Sequence, residues 1–576
     1  MIRKVLIANR GEIAIRISHT LREMGIQVVA VFAEPDKNAL HVRMAQEARP
    51  ISSYLDAAEI VRTAKESGSD AIHPGYGFLS ENPAFSAACE ESRIIFIGPA
   101  PDTIRTMGDK LESKRMMREA GVPVVPAWDG NPPAAEFPVL VKAVGGGGGK
   151  GIRLVENPAD LKDAMASASR EAAAAFGNDR VFVEKYIRQP RHIEFQILGD
   201  SHGSVIHVFE RECSIQRRHQ KIIEETPSPA VTPQLRAQMG AAAVAAAQAV
   251  RYRGAGTVEF ILDPAGCFYF LEMNTRLQVE HPVTEMTTSL DLVREQVLIA
   301  SGEKLSFGQS DLRQAGHSIE CRIYSEVAEE NFRPSTGTIE IYAPPTGPGI
   351  RLDSGVAAGS TVSYHFDPML AKLIVWASSR NAAIDRMKRA LSDFKLLGVR
   401  NNIEFLHSVI STNDFIAGKL DTSFLDRHPE LLSPLPPGEG SRCEARARQG
   451  EASRKAGEGP QAPLSDVWSS GPWRQASASV PRTLPFPQRS DKPRLARAAT
   501  PASASASGEI AALMPGKLLR LEVSVGDTVT EKQTVAIMES MKMESALHSP
   551  KAGRIAEIRC QPGQVIDMGE VVMVVD

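Results

Sequence analysis

Between residues 433 and 507 the chain loses almost all apolar periodicity, and that loss decides how the rest can fold. The tract is built from Pro, Ser, Gly, Ala and Arg, with 11 Lys and Arg against 6 Asp and Glu. Such a composition buries too little apolar surface to offset the entropy of ordering a backbone. We read it as a disordered, mildly basic linker. Its Trp468 and Trp473 could anchor a partner, although polar tracts commonly tolerate two isolated aromatics. The segments on either side are therefore expected to fold as separate bodies. At roughly 150 residues per domain the whole chain holds about four.

The first hundred residues alternate strand and helix. An apolar strand at 5–8 is followed by Gly11, by a helical face of Ile13, Ile17 and Leu21, and by strands at 28–32, 71–73 and 94–97. This order predicts a parallel, doubly wound α/β domain over 1–108. Only Asn9-Arg10-Gly11-Glu12 follows the first strand, with no Gly-x-Gly-x-x-Gly, which argues against a nicotinamide enzyme. Residues 109–310 continue the alternation and hold most of the polar residues set in strand context. Residues 311–428 form a further mixed α/β segment, so the fold class is α/β and multidomain.

Beyond residue 508 order returns and the sequence repeats itself. Gly516 with Gly526 is echoed by Gly553 with Gly563, each pair ten residues apart. Two copies imply a pseudo-symmetric, all-β sandwich over 508–576. Between them lies Glu539-Ser540-Met541-Lys542-Met543-Glu544, which puts Lys542 at the turn joining the halves, a natural carrier position.

Charge and cysteines narrow the function classes. The net charge is −3, from 66 Lys and Arg against 69 Asp and Glu, so no long-range field draws the chain to nucleic acid or an anionic membrane. Six cysteines lie far apart without a Cys-x-x-Cys, which fits a reducing compartment rather than a disulfide framework or zinc knuckle. The start Met1-Ile2-Arg3-Lys4 runs straight into a strand without a secretory apolar region, and the cytoplasm is the expected location. The Ala-rich run 240–250, broken by Gln248, is too short to span a bilayer and reads as a buried helix.

Three constellations carry chemistry. Strand 137–144, with Lys142, runs into Gly145 to Gly149 and a second strand at 152–155. Five glycines let the backbone approach a phosphate closely, and flexible linkers seldom sit inside a tight strand–loop–strand. The second constellation is Glu259 beside Glu272, Asn274 and Arg276. Strand alternation points the latter three the same way, giving a hard-oxygen site suited to Mg²⁺ on nucleotide phosphates, not zinc. The third is the run 211–221, from Arg211 to Lys221, bracketed by acids. By itself it reads equally well as a solvated or nucleic-acid face and as a small-anion site.

Together these residues resemble the biotin carboxylase family of ATP-grasp enzymes fused to a biotin carboxyl carrier domain, as in the α subunits of bacterial acyl-CoA carboxylases. The resemblance covers residues 2 to about 428 and 508–576. It is carried by Ile7-Ala-Asn-Arg-Gly-Glu-Ile, His73-Pro-Gly-Tyr-Gly-Phe-Leu-Ser-Glu-Asn, Met107-Gly-Asp-Lys, the Gly145 loop, Gln216-Arg-Arg-His-Gln-Lys and Glu272-Met-Asn-Thr-Arg-Leu-Gln-Val-Glu-His.

The resemblance implies an N-terminal carboxylase domain (1–108), an ATP-grasp domain (109–310), a C-terminal carboxylase domain (311–428), the linker (433–507) and a biotinyl carrier domain (508–576). It implies a ligase that forms carboxyphosphate from ATP and bicarbonate and carboxylates biotin held on Lys542. Carried over, Lys110, Lys142, Gly148, Gly149, Glu184, Lys185, Ile187, His192, Gln216 and His219 correspond to nucleotide contacts. Glu259, Glu272 and Asn274 correspond to ligands of Mg²⁺ or Mn²⁺. Bicarbonate falls among Lys221, Arg276, Gln278, Val279 and Glu280, with Glu280 as the base, and Arg322 corresponds to the residue stabilising the biotin enolate.

The implied partners are a carboxyltransferase β subunit, a biotin protein ligase and a second copy of the chain. The chain departs from the family pattern in shorter segments near 49–54 and 128–137, and in having no visible β-rich docking domain in 433–507. Two other functions are weighed against this one. Another ATP-grasp ligase leaves Lys542 and the bicarbonate cluster unexplained. A biotin-accepting scaffold with an impaired carboxylase is separable only by kinetics.

Overall fold

The structure is a computed structural model that describes residues 2–128, 130–144, 152–176, 178–217, 220–432, 508–512, 514–541 and 543–576. The expected linker, Gly148 and Gly149 of the glycine run, His219 and Lys542 lie outside the described residues. The chain divides into two compact units, the first dominated by Met1–Leu432 and the second by the C-terminal strands.

The first unit opens with a parallel five-stranded sheet in the order Glu47–Pro50, Gln27–Phe32, Lys4–Ile7, Ala71–His73, Ile95–Phe96. Its middle strand is apolar after Lys4, at Val5, Leu6 and Ile7, because helices cover both faces. Val5 and Ile7 pack with Ile13, Ile17 and Leu21 of helix Gly11–Glu23, while Leu6 packs with Ile60 and Phe85 on the other side. The doubly wound domain expected from the alternation is thus present. Glu47–Pro50 is an additional strand that the periodicity does not reveal. It pairs on one side only, keeps half-exposed or exposed side chains and ends in Pro50, as edge strands do.

A four-stranded antiparallel sheet follows, in the order Ala127–Trp128, Val181–Lys185, Val139–Ala143, Arg153–Val155. Helix Leu161–Phe176 seals one face through Leu161 and Ala168 against Val139, Val141 and Val183. Lys142 and Glu184 project from neighbouring strands, and the strands on either side of the glycine run are direct antiparallel partners. That is the strand–loop–strand setting expected of a phosphate loop. The short 128–137 segment holds the end of strand Ala127–Trp128 and one turn, Ala134–Glu136.

An eight-stranded sheet, antiparallel throughout, is the largest sheet of the unit. Its order is Phe268–Asn274, Gly254–Leu262, Arg191–Gly199, Val205–Arg217, Gln220–Thr226, His317–Tyr324, Met369–Ala377, Ile350–Ser354. One sheet therefore runs through both sequence ranges 109–310 and 311–428, joined where Gln220–Thr226 pairs with His317–Tyr324. The Ala-rich segment is helix Pro233–Ala249, started by Thr232 accepting from Leu235 N. It is buried along one face through Met239, Ala243, Ala246 and Ala247, not on all sides.

The strands after residue 508 form a sandwich of two four-stranded sheets. One holds Glu509–Ala511, Val571–Val575, Gly553–Ile558 and Thr528–Val529; the other holds Met543–His548, Thr534–Ser540, Gly516–Leu521 and Val565–Ile566. Leu518, Val535, Met538, Ile555 and Val572 fill the space between. The repeat has a physical cause. Gly526 and Gly563 take φ of 98° and 93°, a region that favours glycine. Gly516 and Gly553 lie where a Cβ would meet a backbone oxygen, of Glu539 at 2.5 Å and of Asp576 at 2.2 Å. The described strands nearest the expected carrier position are Thr534–Ser540 and Met543–His548. Ser540 is buried and donates its hydroxyl to the Pro515 carbonyl at 2.7 Å.

Candidate active site

One cavity of about 850 Å³ in the first unit collects every described site residue expected from the sequence: Lys110, Lys142, Glu184, Lys185, Ile187, His192, Gln216, Lys221, Glu259, Glu272, Asn274, Arg276, Gln278, Val279, Glu280 and Arg322. They come from six strands of the eight-stranded sheet, two of the four-stranded sheet, helix Lys110–Glu119, the segment after Lys185 and the segment after Asn274. The wall near Lys142 is apolar, through Leu140, Ile152, Phe182 and Leu271.

At that end two lysines share one acid. Lys142 Nζ donates to Glu184 Oε2 at 2.5 Å, and Lys114 pairs with the other carboxylate oxygen. With Lys110 alongside, the pocket holds more positive than negative charge. Burial, then repulsion from Lys110, lowers Lys142 to about 8. Burial, then Lys142 and Lys110, lowers Lys114 to about 6. Crowded, desolvated cations of this kind gain most when an anion arrives. Lys114 was not read from the sequence, yet it stands four residues after Lys110 on helix Lys110–Glu119, the spacing that shares a helix face.

The oxygen cluster lies next to it. Glu259 and Glu272 are direct cross-strand partners, so their side chains share one face. Glu259 is buried and accepts from Lys221 Nζ at 2.8 Å, Asn274 Nδ2 at 2.7 Å and Gln278 Nε2 at 2.8 Å on one oxygen. Its other oxygen meets His192 Nε2 at 2.8 Å, while Gln216 Nε2 lies 2.7 Å from His192 Nδ1. Burial favours protonation of Glu259, but Lys221 and His192 hold its carboxyl well below the usual range. Glu272 behaves oppositely: it opens into the cavity with protein around it, and burial, Glu259 and Glu81 push its carboxyl up. A carboxylate disfavoured by its neighbours, opposite another carboxylate and beside an amide, is a donor set that a divalent cation relieves. Glu259, Glu272 and Asn274 therefore fit Mg²⁺ or Mn²⁺.

The third cluster surrounds Glu280. Lys221 Nζ lies 2.8 Å from one of its oxygens and Arg322 Nη2 2.9 Å from the other. Burial alone would raise this carboxyl, yet Lys221, Arg322 and Arg211 hold it well below the carboxylate range. Arg276 reaches Glu81 Oε2 at 2.8 Å and Asn274 Oδ1 at 2.8 Å and also pairs with Gln278. Arg322 is shared with Glu224, whose Oε1 lies 2.6 Å from its Nε.

Among its described residues, the 211–221 run is largely buried rather than a solvated face. Arg211 is fully buried on Glu194, with Gln196 at 2.9 Å, and Arg217 is buried on Glu326. Strand alternation leaves Gln216 and Lys221 facing the cavity. Glu194, a partner of Lys221 at 2.5 Å, escaped the sequence reading although it lies two residues after His192 on the same strand face. Glu81 stands inside the quoted His73 motif but was given no role.

No helix among the described residues is long and apolar enough to cross a membrane. Residues 1–104 match the family described as biotin carboxylase, N-terminal domain; 109–307 match carbamoyl-phosphate synthase L chain, ATP binding domain; 320–427 match biotin carboxylase C-terminal domain; and 508–575 match biotin-requiring enzyme. The methylcrotonoyl-CoA carboxylase subunit alpha of Oryza sativa is 52% identical over 75% of this chain; the match spans only 61% of that relative's own length. The subunit of the same name from Dictyostelium discoideum is 38% identical over 98% of this chain and 95% of its own. Among solved structures, the biotin carboxylase domain of the Hydrogenobacter thermophilus 2-oxoglutarate carboxylase, in complex with MgADP, ADP and bicarbonate, is 48% identical with a TM-score of 0.73. It matches over 76% of this chain and 99% of its own. With the three carboxylase domains in one unit and a biotin-type sandwich after them, the chain belongs to the biotin carboxylase family of ATP-dependent ligases, fused to a biotin carrier domain.

Proposed function

We propose that this chain carries out the ATP- and bicarbonate-dependent carboxylation of biotin borne on Lys542, as the α subunit of an acyl-CoA carboxylase. The observation that carries the reading is Glu280, a buried carboxylate set between Lys221 and Arg322 and within reach of the oxygen cluster. It is ionised, as a base must be, and sits among cations that suit a small anion.

We assign the residues these roles. The apolar wall at Leu140, Ile152, Phe182 and Leu271 accepts the base of ATP, and Lys110 and Lys142, with Gly148, Gly149 and His219, hold its phosphates. Glu184, Lys185, Ile187, His192 and Gln216 complete the nucleotide site. A divalent cation held by Glu259, Glu272 and Asn274, when bound, neutralises charge on the transferring phosphoryl group. Lys221, Arg276 and Gln278 with the Val279 backbone orient bicarbonate, and Glu280 takes its proton as its oxygen attacks the γ-phosphorus and ADP leaves. Pairing of Lys221 and Arg322 with substrate anions withdraws their pull on Glu280 and raises its basicity at that moment. Arg322 is placed to neutralise an oxyanion presented by the carrier.

The relatives' names support a carboxyltransferase β subunit as partner. A biotin protein ligase acting on Lys542 and assembly of the carboxylase into a homo-oligomer belong to the same proposal. So does the cytoplasm as a reducing location, consistent with the five described cysteines being free.

The test uses the full chain, biotinylated, with ATP, Mg²⁺ and labelled bicarbonate. Acid-labile label on the Lys542 peptide is the expected result; its absence, with biotin confirmed there, would leave a carrier without a working carboxylase. A pH prediction accompanies it. Lys142, lowered to about 8, loses its charge as pH rises through that value, so ATP binding weakens between pH 7 and 9. Lys142→Met binds ATP more weakly and removes that pH dependence; calorimetric titration at several pH values checks both.

A further inference from the structure

Lys372 lies on strand Met369–Ala377, outside the cavity wall, with its side chain wholly buried. Burying an ammonium is costly unless it is paired, yet its nearest carboxylates, Glu12 and Asp353, stand 3.5 Å and 3.7 Å away. Its shorter contact is to the main chain: Nζ donates to the Val279 carbonyl at 2.8 Å. Lys372 is also the direct cross-strand partner of Arg322, so the two cations share one face of the sheet. Arg322 holds the Glu280 carboxylate at 2.9 Å. Neighbouring cations thus grip two consecutive residues, one by its backbone and the other by its side chain. A further charged neighbour, Glu320, is fully buried and opposite Glu224, with neither oxygen accepting a hydrogen bond from a described residue.

We propose that Lys372 is a positioning residue for bicarbonate: by fixing the Val279 carbonyl it sets where Arg276, Gln278 and Glu280 stand. The inference rests on reading residues 276–280 as the bicarbonate site. Asp353 remains neutralised by Arg351, which reaches its two oxygens at 2.8 Å and 2.9 Å, whereas removing Lys372 takes the nearby cation from Glu12 and leaves it the Tyr76 hydroxyl on one oxygen.

The experiment measures KM for bicarbonate and for MgATP, separately, by bicarbonate-dependent ADP release from the full biotinylated chain. Losing a charge-assisted hydrogen bond that fixes the segment predicts at least about a tenfold rise in bicarbonate KM for Lys372→Met, with the MgATP KM within about twofold. Lys372→Arg, which still offers an N–H and a charge, recovers most of the loss. If Lys372→Met fails to fold, the pair Glu12→Gln with Lys372→Met removes the Glu12 charge, and must show the same rise against Glu12→Gln alone. An unchanged bicarbonate KM, or an equal rise in both KM values, overturns the positioning role. Absence of bicarbonate-dependent ADP release from the unaltered chain overturns instead the reading of the site.

Discussion

Glu280→Gln is expected to bind ATP normally and to lose bicarbonate-dependent ATP cleavage by roughly 10²–10⁴-fold, the contribution typical of a general base. The amide is nearly isosteric and its oxygen still accepts from Lys221. Neither cation is left bare, because Lys221 keeps Glu194 and Glu259, at 2.5 Å and 2.8 Å, and Arg322 keeps Glu224 at 2.6 Å. The fold should therefore survive, and the loss reports on chemistry. The rate of ADP release with and without bicarbonate, beside a nucleotide titration, decides it. Cleavage unchanged from the parent chain would sink the assignment of Glu280 as base, and lost nucleotide binding would mean that the substitution disturbs the cation cluster instead.

Lys542→Arg is expected to remove all biotin from the chain and with it all label from bicarbonate on the carrier. Amide formation to biotin needs a free amine as nucleophile, and a guanidinium stays protonated. ATP cleavage supported by free biotin should stay within about twofold, since no residue lining the cavity is altered. Streptavidin blotting and scintillation counting check the first part, and an ADP assay with free biotin checks the second. Loss of the free-biotin reaction would contradict a pure carrier role for Lys542.

Much of the site was legible because strand alternation is a local rule. Glu272 and Asn274 are two residues apart and project together, and Glu259 meets Glu272 in register on the next strand. The repeated glycines announced the C-terminal sandwich for the same reason: each answers a backbone constraint within its own turn or at its own close approach. The edge strand Glu47–Pro50 was not legible, because a strand paired on one side needs no apolar alternation. Lys114 and Glu194 carried usable signals in their spacing from Lys110 and His192. Lys372 carried none, since in an apolar strand its partner is a backbone carbonyl nearly a hundred residues away in sequence, |i−j| of 93.

The amino-acid order by itself determined most of the strand and helix types, the strands flanking the glycine run and the family, through motifs whose residues lie within a few positions of one another. Only the tertiary structure decided that His192, Lys221, Glu259, Arg322 and Lys372, from five different strands, belong to one sheet that crosses from residues 109–310 into 311–428. Periodicity reports what each side chain needs from its immediate surroundings. Strand order is chosen by which long-range pairing buries the most apolar surface while satisfying every backbone hydrogen bond, and that choice brought buried Glu280 between its two cations.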